Sequence, residues 1–354
     1  MKKLSIVLSA IMLQTAAYAQ DIHFSQFYEN AILRNPALTG IFSGDYKAGV
    51  NYRTQWSNIS VPFQTMLASA ETRIAVNREV GDYISFGVSA TYDRAGSINF
   101  TSMQVYPAIN YNKVMADGRR SYLSVGFTGG YIQRAFDMSK ATFSTQYVNG
   151  GFDQTAATGE NMQNVSMQAY DLGAGMSFNS TIGSTRNVNY YIGVAGYHVA
   201  KPKQSFNDNG EVLRLDTKWT GNLGVKASIT DQMGVTVHAN YTTQGPYTEF
   251  IAGALFSWRA TNSEMSKSVI LYGGAFIRAK DAWIPTVKID YNQYSVTASY
   301  DFNTSGLRPA TNGTAGYEIS LFVRGRVKHR DGYRSSVACP RFEQMLDGEG
   351  AEQF

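Results

Sequence analysis

YKAGVNYRTQW, residues 46–56, is the stretch that decides the fold of this chain. Apolar and small residues recur at every second position on one of its faces, and polar or basic residues occupy the other. The first face carries Tyr46, Ala48, Val50, Tyr52 and Trp56, and the second carries Lys47, Gly49, Asn51, Arg53 and Gln55. Strict alternation over this length predicts a β-strand with one apolar and one polar face. About ten residues is also the length that a tilted strand needs to cross a bilayer.

The same alternation recurs along the chain. Clear runs begin at Ile84, Met103, Leu123, Tyr170, Trp219, Met233, Tyr294 and Tyr317, and weaker runs lie near residues 63–74, 190–200, 248–258, 268–277 and 283–289. With the first stretch this makes fourteen predicted strands, an even number of the kind that single-chain bacterial outer-membrane barrels usually have. Aromatic residues often fall at strand ends, which is typical of the girdles at the two membrane interfaces.

A soluble β-sandwich or propeller would also alternate, but its outer face would carry charge. Here the apolar face is nearly free of charge, and a basic side chain such as Arg53 turned to the lipid midplane would cost about 2–4 kcal/mol. After residue 19 no segment reaches the 18 apolar residues expected of a transmembrane helix. We therefore predict an all-β protein, a transmembrane antiparallel β-barrel of about 14 strands.

The first residues, MKKLSIVLSAIMLQTAAYAQ, predict export. They combine Lys2 and Lys3 with a short apolar run and an Ala17-Tyr18-Ala19 site, as in a signal peptide cleaved before Gln20. An uncleaved anchor helix is the alternative, and the apolar run is too short for it. The absence of Cys at the site argues against a lipoprotein. We expect residues 1–19 to be removed and the barrel to reach the outer membrane, with lipid around it.

The amino-acid composition narrows the class of protein further. Without Lys2 and Lys3 the basic count falls from 31 to 29 against 27 acidic residues, a formal net charge of +2, which leaves no electrostatic footprint for nucleic acid. Charged residues make up 16% of the chain, below the roughly 25% of soluble domains, while Tyr, Phe and Gly number 23, 19 and 33. A single cysteine, Cys339, excludes an internal disulfide.

Connection lengths predict the orientation of the barrel. Connections after even-numbered strands look short, and those after odd-numbered strands are longer on the whole, so the long ones should face outward. Both termini would then be periplasmic. The expected division is a signal peptide at 1–19, an aromatic plug-like segment at 20–44, an outer-membrane barrel at 45–325 and a periplasmic C-terminal tail at 326–354.

The plug-like segment, which we call the leader, contains DIHFSQFYENAILRNPALTG at residues 21–40 and shows no period. A disordered leader is one interpretation. Its aromatics Phe24, Phe27 and Tyr28 argue against it because they would gain from burial. Asn35-Pro36 and Gly40 supply turn chemistry that could fold the segment back. We therefore predict that the leader packs in the lumen or against the periplasmic mouth and closes the pore.

Three spaced motifs resemble the PorP/SprF family of the type IX secretion system in Bacteroidota. They are the leader itself, the run Tyr52–Trp56 and the tail Ala338-Cys339-Pro340-Arg341-Phe342. The residues that carry the resemblance, and that we expect to contact a partner or close the pore, are His23, Phe24, Ser25, Gln26, Phe27, Tyr28, Asn35, Pro36, Arg53, Trp56, Cys339, Pro340, Arg341 and Phe342. A short acidic extension, Glu343 to Phe354, departs from the family pattern.

The resemblance implies an outer-membrane β-barrel that works with the type IX secretion and gliding apparatus. It would bind and support the export or surface attachment of a secreted, adhesin-like protein with a type IX C-terminal domain. It would also contact the periplasmic secretion ring or peptidoglycan-linked lipoproteins. Two alternatives remain from the residues alone: a passive uptake channel for small or hydrophobic solutes, with the leader as a hatch, and a structural anchor between outer membrane and cell wall.

No catalytic or cofactor chemistry is expected. The four histidines are scattered, there is no Gly-x-Ser-x-Gly elbow, and no spacing suits a metal. His23 and His329 are expected outside the barrel, and His198 and His238 on its strands. Cys339 is expected to pack within the C-terminal segment. The basic run 327–334 could dock a periplasmic partner, and the polar stretch 134–168 could meet the exported protein or be a solvated loop.

Overall fold

A computed structural model describes residues 21–327, apart from 57–60, 78–80, 116–120, 154, 159–164, 183–186, 207–212, 261–268, 307 and 312. The predicted signal peptide and nearly all of the C-terminal tail, with His329, Cys339, Pro340, Arg341 and Phe342, lie outside the described residues. No helix among the described residues is long and apolar enough to cross a membrane.

Fourteen strands form one closed antiparallel barrel, as predicted. Each of the fourteen predicted stretches becomes one of them. The barrel strands are β1 (Tyr46–Gln55), β2 (Phe63–Asn77), β3 (Asp82–Ala95), β4 (Phe100–Met115), β5 (Ser121–Ala135), β8 (Ser166–Ile182), β9 (Val188–Tyr197), β10 (Lys218–Ser228), β11 (Met233–Gln244), β12 (Tyr247–Ala260), β13 (Val269–Arg278), β14 (Ala282–Tyr291), β15 (Tyr294–Asn303) and β16 (Thr314–Gly325). Two short strands, β6 (Tyr147–Val148) and β7 (Gly151–Phe152), form a separate hairpin within the connection from β5 to β8.

Helical turns are few and short. Those of the leader are Phe27–Glu29, Ala31–Arg34 and Pro36–Leu38, and the connections add Met138–Lys140, Ser144–Gln146 and Arg308–Thr311.

The faces of β1 follow its sequence pattern. Lys47, Asn51 and Arg53 are buried toward the lumen, whereas Val50 is 53% exposed on the outside. The ladder between β1 and β16 closes the barrel and pairs Arg53 with Glu318. A shift of this register by one residue would turn a guanidinium and a carboxylate to lipid, so the polar lining specifies the pairing.

The outer surface of the barrel is apolar on all sides. Large apolar side chains stand exposed on strands around the whole circumference, among them Val50, Phe127, Leu172, Ile192, Trp219, Phe256, Ile277, Val287, Val296 and Leu321. A contiguous exposed apolar surface of this extent marks contact with a membrane. Buried polar residues line the inside of the same strands, which is the reverse of a soluble barrel.

The long connections meet at one end of the barrel. The described parts of three connections, 136–165, 198–217 and 304–313, follow β5, β9 and β15, and they lie at the mouth opposite to the start of β1. There Phe206 packs on Phe136 at a ring separation of 5.1 Å, and Leu215 joins Ile132 in a small apolar cluster. The side of the membrane that this mouth faces stays a prediction.

Candidate functional site

The leader runs through the lumen of the barrel from one mouth toward the other. Its last residue, Gly44, precedes the start of β1, while Asp21 lies 2.5 Å from the Nζ of Lys218, at the opposite end of the lumen. Nearly every described side chain from Phe24 to Ser43 is buried. The prediction that the leader packs in the lumen is confirmed.

Backbone amides of the leader bind a carboxylate of the barrel wall. Glu318 accepts hydrogen bonds from the N–H of Ser25 at 2.7 Å and of Gln26 at 3.0 Å. The side-chain amide of Gln26 also donates to the Glu318 carbonyl, and its oxygen accepts from Ser320 at 2.6 Å. Since Glu318 is fully buried, these charge-assisted bonds stabilise it as well as the leader.

Arg53 connects the leader to the same wall. Its Nη2 lies 3.0 Å from a carboxylate oxygen of Asp301, and its Nη1 donates to the carbonyl of His23 at 2.5 Å. Asp301 also accepts from the hydroxyl of Ser25 at 2.7 Å. Arg53, one of the residues predicted to contact a partner or close the pore, therefore contacts the leader.

His23 lies in the lumen, which corrects the expectation that it stands outside the barrel. Burial lowers the pKa of its imidazole well below the usual value, and the nearby Arg53 and Arg278 lower it further. The side chain is therefore neutral at physiological pH. Because apolar and polar residues do not alternate regularly in the leader, its sequence could not predict how deep in the barrel His23 lies.

The aromatic residues of the leader fill an apolar part of the lumen. Phe27 and Tyr28 pack against Phe276, with ring separations of 5.7 and 5.1 Å. They belong to a cluster that also contains Ile251, Leu255, Ala282 and Ile284. Tyr28 stacks on His238 at 4.9 Å. A lumen lined in part by apolar side chains is suited to an aromatic segment rather than to bulk water.

Glu29 is a second charged anchor of the leader. Its carboxylate lies 2.6 Å from the Nζ of Lys288 and 3.6 Å from the Nζ of Lys47. The Nζ of Lys47 also donates to the Glu29 carbonyl at 3.2 Å. Such a buried carboxylate is tolerated because two ammonium groups, one from β14 and one from β1, neutralise it.

The Asn35-Pro36 turn lies against three glycines of neighbouring strands. A Cβ added to Gly126 would lie 2.3 Å from the carbonyl carbon of Pro36, and one added to Gly175 or Gly193 would lie 2.2 or 2.7 Å from the side chain of Asn35. The turn is held further by Asn110, whose side-chain N–H groups donate to the carbonyls of Ala37 and Thr39, and by the bond from Asn35 to the carbonyl of Met176. These glycines, which we call the glycine cradle, permit the close approach.

Trp56 is not part of this assembly. It follows β1 with a positive φ of 55° and packs on Phe63 at 4.9 Å, away from the leader. Trp56 was predicted to be a site residue only because it belongs to the motif Tyr52–Trp56. Conversely, the residues of the wall that bind the leader, namely Glu318, Asp301, Lys288 and Asn110, could not be identified from the sequence. Their positions on the polar faces of strands were the available signal.

His198 contacts Asp21, the first described residue of the leader. Its Nδ1 lies 2.8 Å from Asp171 and its Nε2 lies 3.4 Å from Asp21. Burial opposes the charged imidazolium, but the bonds to Asp171 and Asp21 outweigh it and raise the pKa of His198. Among the described residues no group of three His, Cys, Asp or Glu side chains could hold a metal.

Comparison with known proteins identifies the type of barrel. A family model described as type IX secretion system membrane protein PorP/SprF matches residues 16–322. No curated protein matches the chain.

Several solved structures are similar to this chain over most of their own length. The translocator domain of the autotransporter NalP from Neisseria meningitidis is 9% identical over 80% of this chain and 90% of that one, with a TM-score of 0.41. A Pseudomonas aeruginosa FadL homologue is 9% identical over 81% and 91%, with a TM-score of 0.45. A TodX monoaromatic hydrocarbon channel mutant is 11% identical over 83% and 92%, with a TM-score of 0.47.

Proposed function

The chain belongs to the PorP/SprF family of type IX secretion system membrane proteins, and from this membership we propose that it is a closed docking barrel of the outer membrane. It binds a secreted, adhesin-like protein with a type IX C-terminal domain at its outer mouth and supports export or surface attachment of that protein. Its periplasmic end docks the secretion ring or peptidoglycan-linked lipoproteins. It acts by binding and not by catalysis.

One observation carries this proposal: the leader fills the lumen with specific polar and aromatic contacts. The charge-assisted bonds from Ser25 and Gln26 to Glu318 and the aromatic packing of Phe27 and Tyr28 make the leader part of the core. A permanently open diffusion pathway would require all of these contacts to break. A barrel built in this way offers its mouths and its connections to proteins, while its lumen serves as a packed interior.

The two mouths provide the separate surfaces that such a role needs. The connection 136–165 presents exposed apolar side chains on its β6–β7 hairpin, Tyr147 and Phe152, which are 65% and 50% exposed. β16 ends beside the start of β1, so Arg326 and Val327, the last described residues of the chain, lie at the opposite mouth. We assign the first surface to the secreted protein and the second to the periplasmic machinery.

Affinity purification from the native membrane tests the proposal. A tagged chain is isolated in mild detergent after cross-linking, next to one variant with residues 138–164 replaced by a Gly/Ser linker and one that lacks residues 328–354. We expect the loop variant to lose the secreted protein and keep the periplasmic partners, and the tail variant to do the opposite. A lone barrel, or equal recovery from all three chains, would contradict the assignment.

A further inference from the structure

A small cavity, lined by both apolar and polar side chains, lies between the leader and the wall formed by β10, β11 and β12. Its volume is about 60 Å³, and since one water needs about 10–15 Å³ by this measure, it has space for roughly four water-sized groups. Its lining combines leader residues with wall residues, namely Asp21, Ile22, His23, Phe24, Phe27, Asn30, Leu33 and Arg34 on one side and Lys218, Thr220, Asn240, Thr242, Gln244, Tyr247 and Glu249 on the other.

Arg34 stands out among these residues because it is buried without a counter-charge. It is 6% exposed, and within the described part of the chain it forms no ion pair. Its Nη2 donates to the hydroxyl of Tyr191, but its Nε and Nη1 find no hydrogen-bond partner among the described residues. The rings of Phe27 and Tyr191 lie 5.6 and 5.3 Å from its Cζ.

The other charges at the cavity are already engaged. Lys218 pairs with Asp21 at 2.5 Å. Glu249 lies 3.6 Å from Arg278 and accepts from the hydroxyl of Tyr247 at 2.9 Å. The two carboxylates of the lining thus have basic partners of their own, and neither forms an ion pair with Arg34.

Asn30 adds a second group with unused hydrogen-bonding capacity. It is 5% exposed, and neither its amide nitrogen nor its amide oxygen has a partner within the described ranges. A guanidinium cannot release its proton in a protein, and an unpaired charge away from water is strongly unfavourable. A counter-ion in the cavity would remove this cost, and the Asn30 amide could donate to the same ion.

We propose that this cavity binds one small anion, a halide or a single carboxylate or oxyanion group, through Arg34 and Asn30. Both residues belong to the leader, while Thr220 and Asn240 belong to the wall. The anion therefore lies between the two parts and holds the leader in the lumen. This inference concerns the lumen and does not depend on the proposed docking role.

Calorimetric titration of the full chain in nonionic detergent tests the inference. The starting buffer contains only a bulky sulfonate anion, and the probes are sodium chloride, sodium acetate and sodium phosphate, each alone and then in competition. We expect saturable binding of at least one probe with a stoichiometry of one. The strongest binder identifies the anion as a halide, a carboxylate or a phosphate-type oxyanion.

Three variants distinguish anion binding at this site from nonspecific effects of charge on anion binding. Arg34→Gln should weaken binding at least tenfold, and Arg214→Gln, at an exposed position, should leave it unchanged. Asn30→Asp places a fixed carboxylate in the cavity and should also abolish binding, which covers the case in which Arg34→Gln fails to fold. Absence of saturable binding by the unchanged chain, or binding by Arg34→Gln and Asn30→Asp as strong as that of the unchanged chain, would overturn the proposal.

Discussion

At the scale of single residues, Glu318 is the group on which the leader depends most. It accepts from two consecutive leader amides, at Ser25 and Gln26, and lies 4.0 Å from the Nε of Arg53. Its neighbour in the β1–β16 ladder is Arg53 itself. Glu318 therefore lies in the strand pair that closes the barrel and also binds the leader.

Replacing Glu318 by Gln should loosen the start of the leader. The amide side chain keeps the shape but loses the charge, and hydrogen bonds to charged groups contribute about 1.5–3 kcal/mol. We expect amide hydrogen exchange at Ser25 and Gln26 to accelerate roughly tenfold or more. Asp137→Asn, in an exposed connection, is the charge-matched control and should leave both amides protected. Unchanged exchange in Glu318→Gln would show that the carboxylate is not an anchor.

His198 should make the first residue of the leader sensitive to pH. Its pKa is raised in the folded chain by Asp171 and Asp21, with burial and Lys218 opposing. A raised folded pKa means that the contribution to stability is complete below the usual value near 6.5 and is lost as pH rises through the folded value. Tyr106, which donates to Asp171 at 3.0 Å, is not expected to ionise in this range.

Exchange of amides near Asp21 should therefore be slow below pH 6 and should accelerate as the pH rises above the usual His value. In His198→Gln, which cannot titrate, the residual protection should no longer change over this window once the intrinsic pH dependence of exchange is subtracted. The same pH dependence in both chains would contradict the assignment.

At the scale of elements, the glycine cradle determines how closely the leader can pack against the barrel wall. Gly126 faces the turn at Pro36, whereas Gly129 on the same strand has nothing within 4 Å of an added Cβ. Gly126→Ala should displace the turn at a cost of about 1–3 kcal/mol, the usual range for overpacking. We expect protease to cleave the leader faster in Gly126→Ala, while Gly129→Ala resists like the unchanged chain. Equal resistance in both variants would argue against a close fit at the turn.

The strands could be predicted from sequence because each must satisfy two environments at once. In Tyr46–Gln55, residues such as Val50 face outward and residues such as Asn51 face the lumen, so the alternation has a direct physical cause. The place of the leader followed from its aromatic content, since Phe27 and Tyr28 had to be buried somewhere.

The partners of the leader could not be predicted in the same way. Ser25 and Glu318 are 293 residues apart, and their contact exists only after the first and last strands have paired. The glycine cradle is equally non-local, because Gly126, Gly175 and Gly193 become neighbours through the register of three strands. His23 was expected outside the barrel because a segment without periodic hydrophobicity gives no information on how deep in the lumen its residues lie. Trp56 was grouped with the leader because a sequence motif does not show whether a residue at the end of a strand faces the lumen or the outside of the barrel.

At the scale of the whole molecule, the barrel and the leader form a single cooperative interior. The contacts of the leader reach β1, β4, β8, β9, β14, β15 and β16, through Arg53, Asn110, Ser177, the Val194 carbonyl, Lys288, Asp301 and Glu318. Removal of the leader would take away the Glu29 carboxylate that lies 2.6 Å from the Nζ of Lys288, and water would then have to enter to solvate the space around this ammonium group. An empty lumen should therefore be hydrated and open to ions.

Single-channel recording in planar bilayers tests most directly whether the leader closes the barrel. The recordings compare the full chain, the chain lacking residues 21–39, and a Cys339→Ser chain whose leader is tied to the wall by a disulfide between Gln26→Cys and Ser320→Cys. We predict no conductance from the full chain and the tied chain, and stable open channels from the deletion. Conductance from the tied chain, or a deletion no more conductive than the full chain, would contradict a lumen closed by its leader.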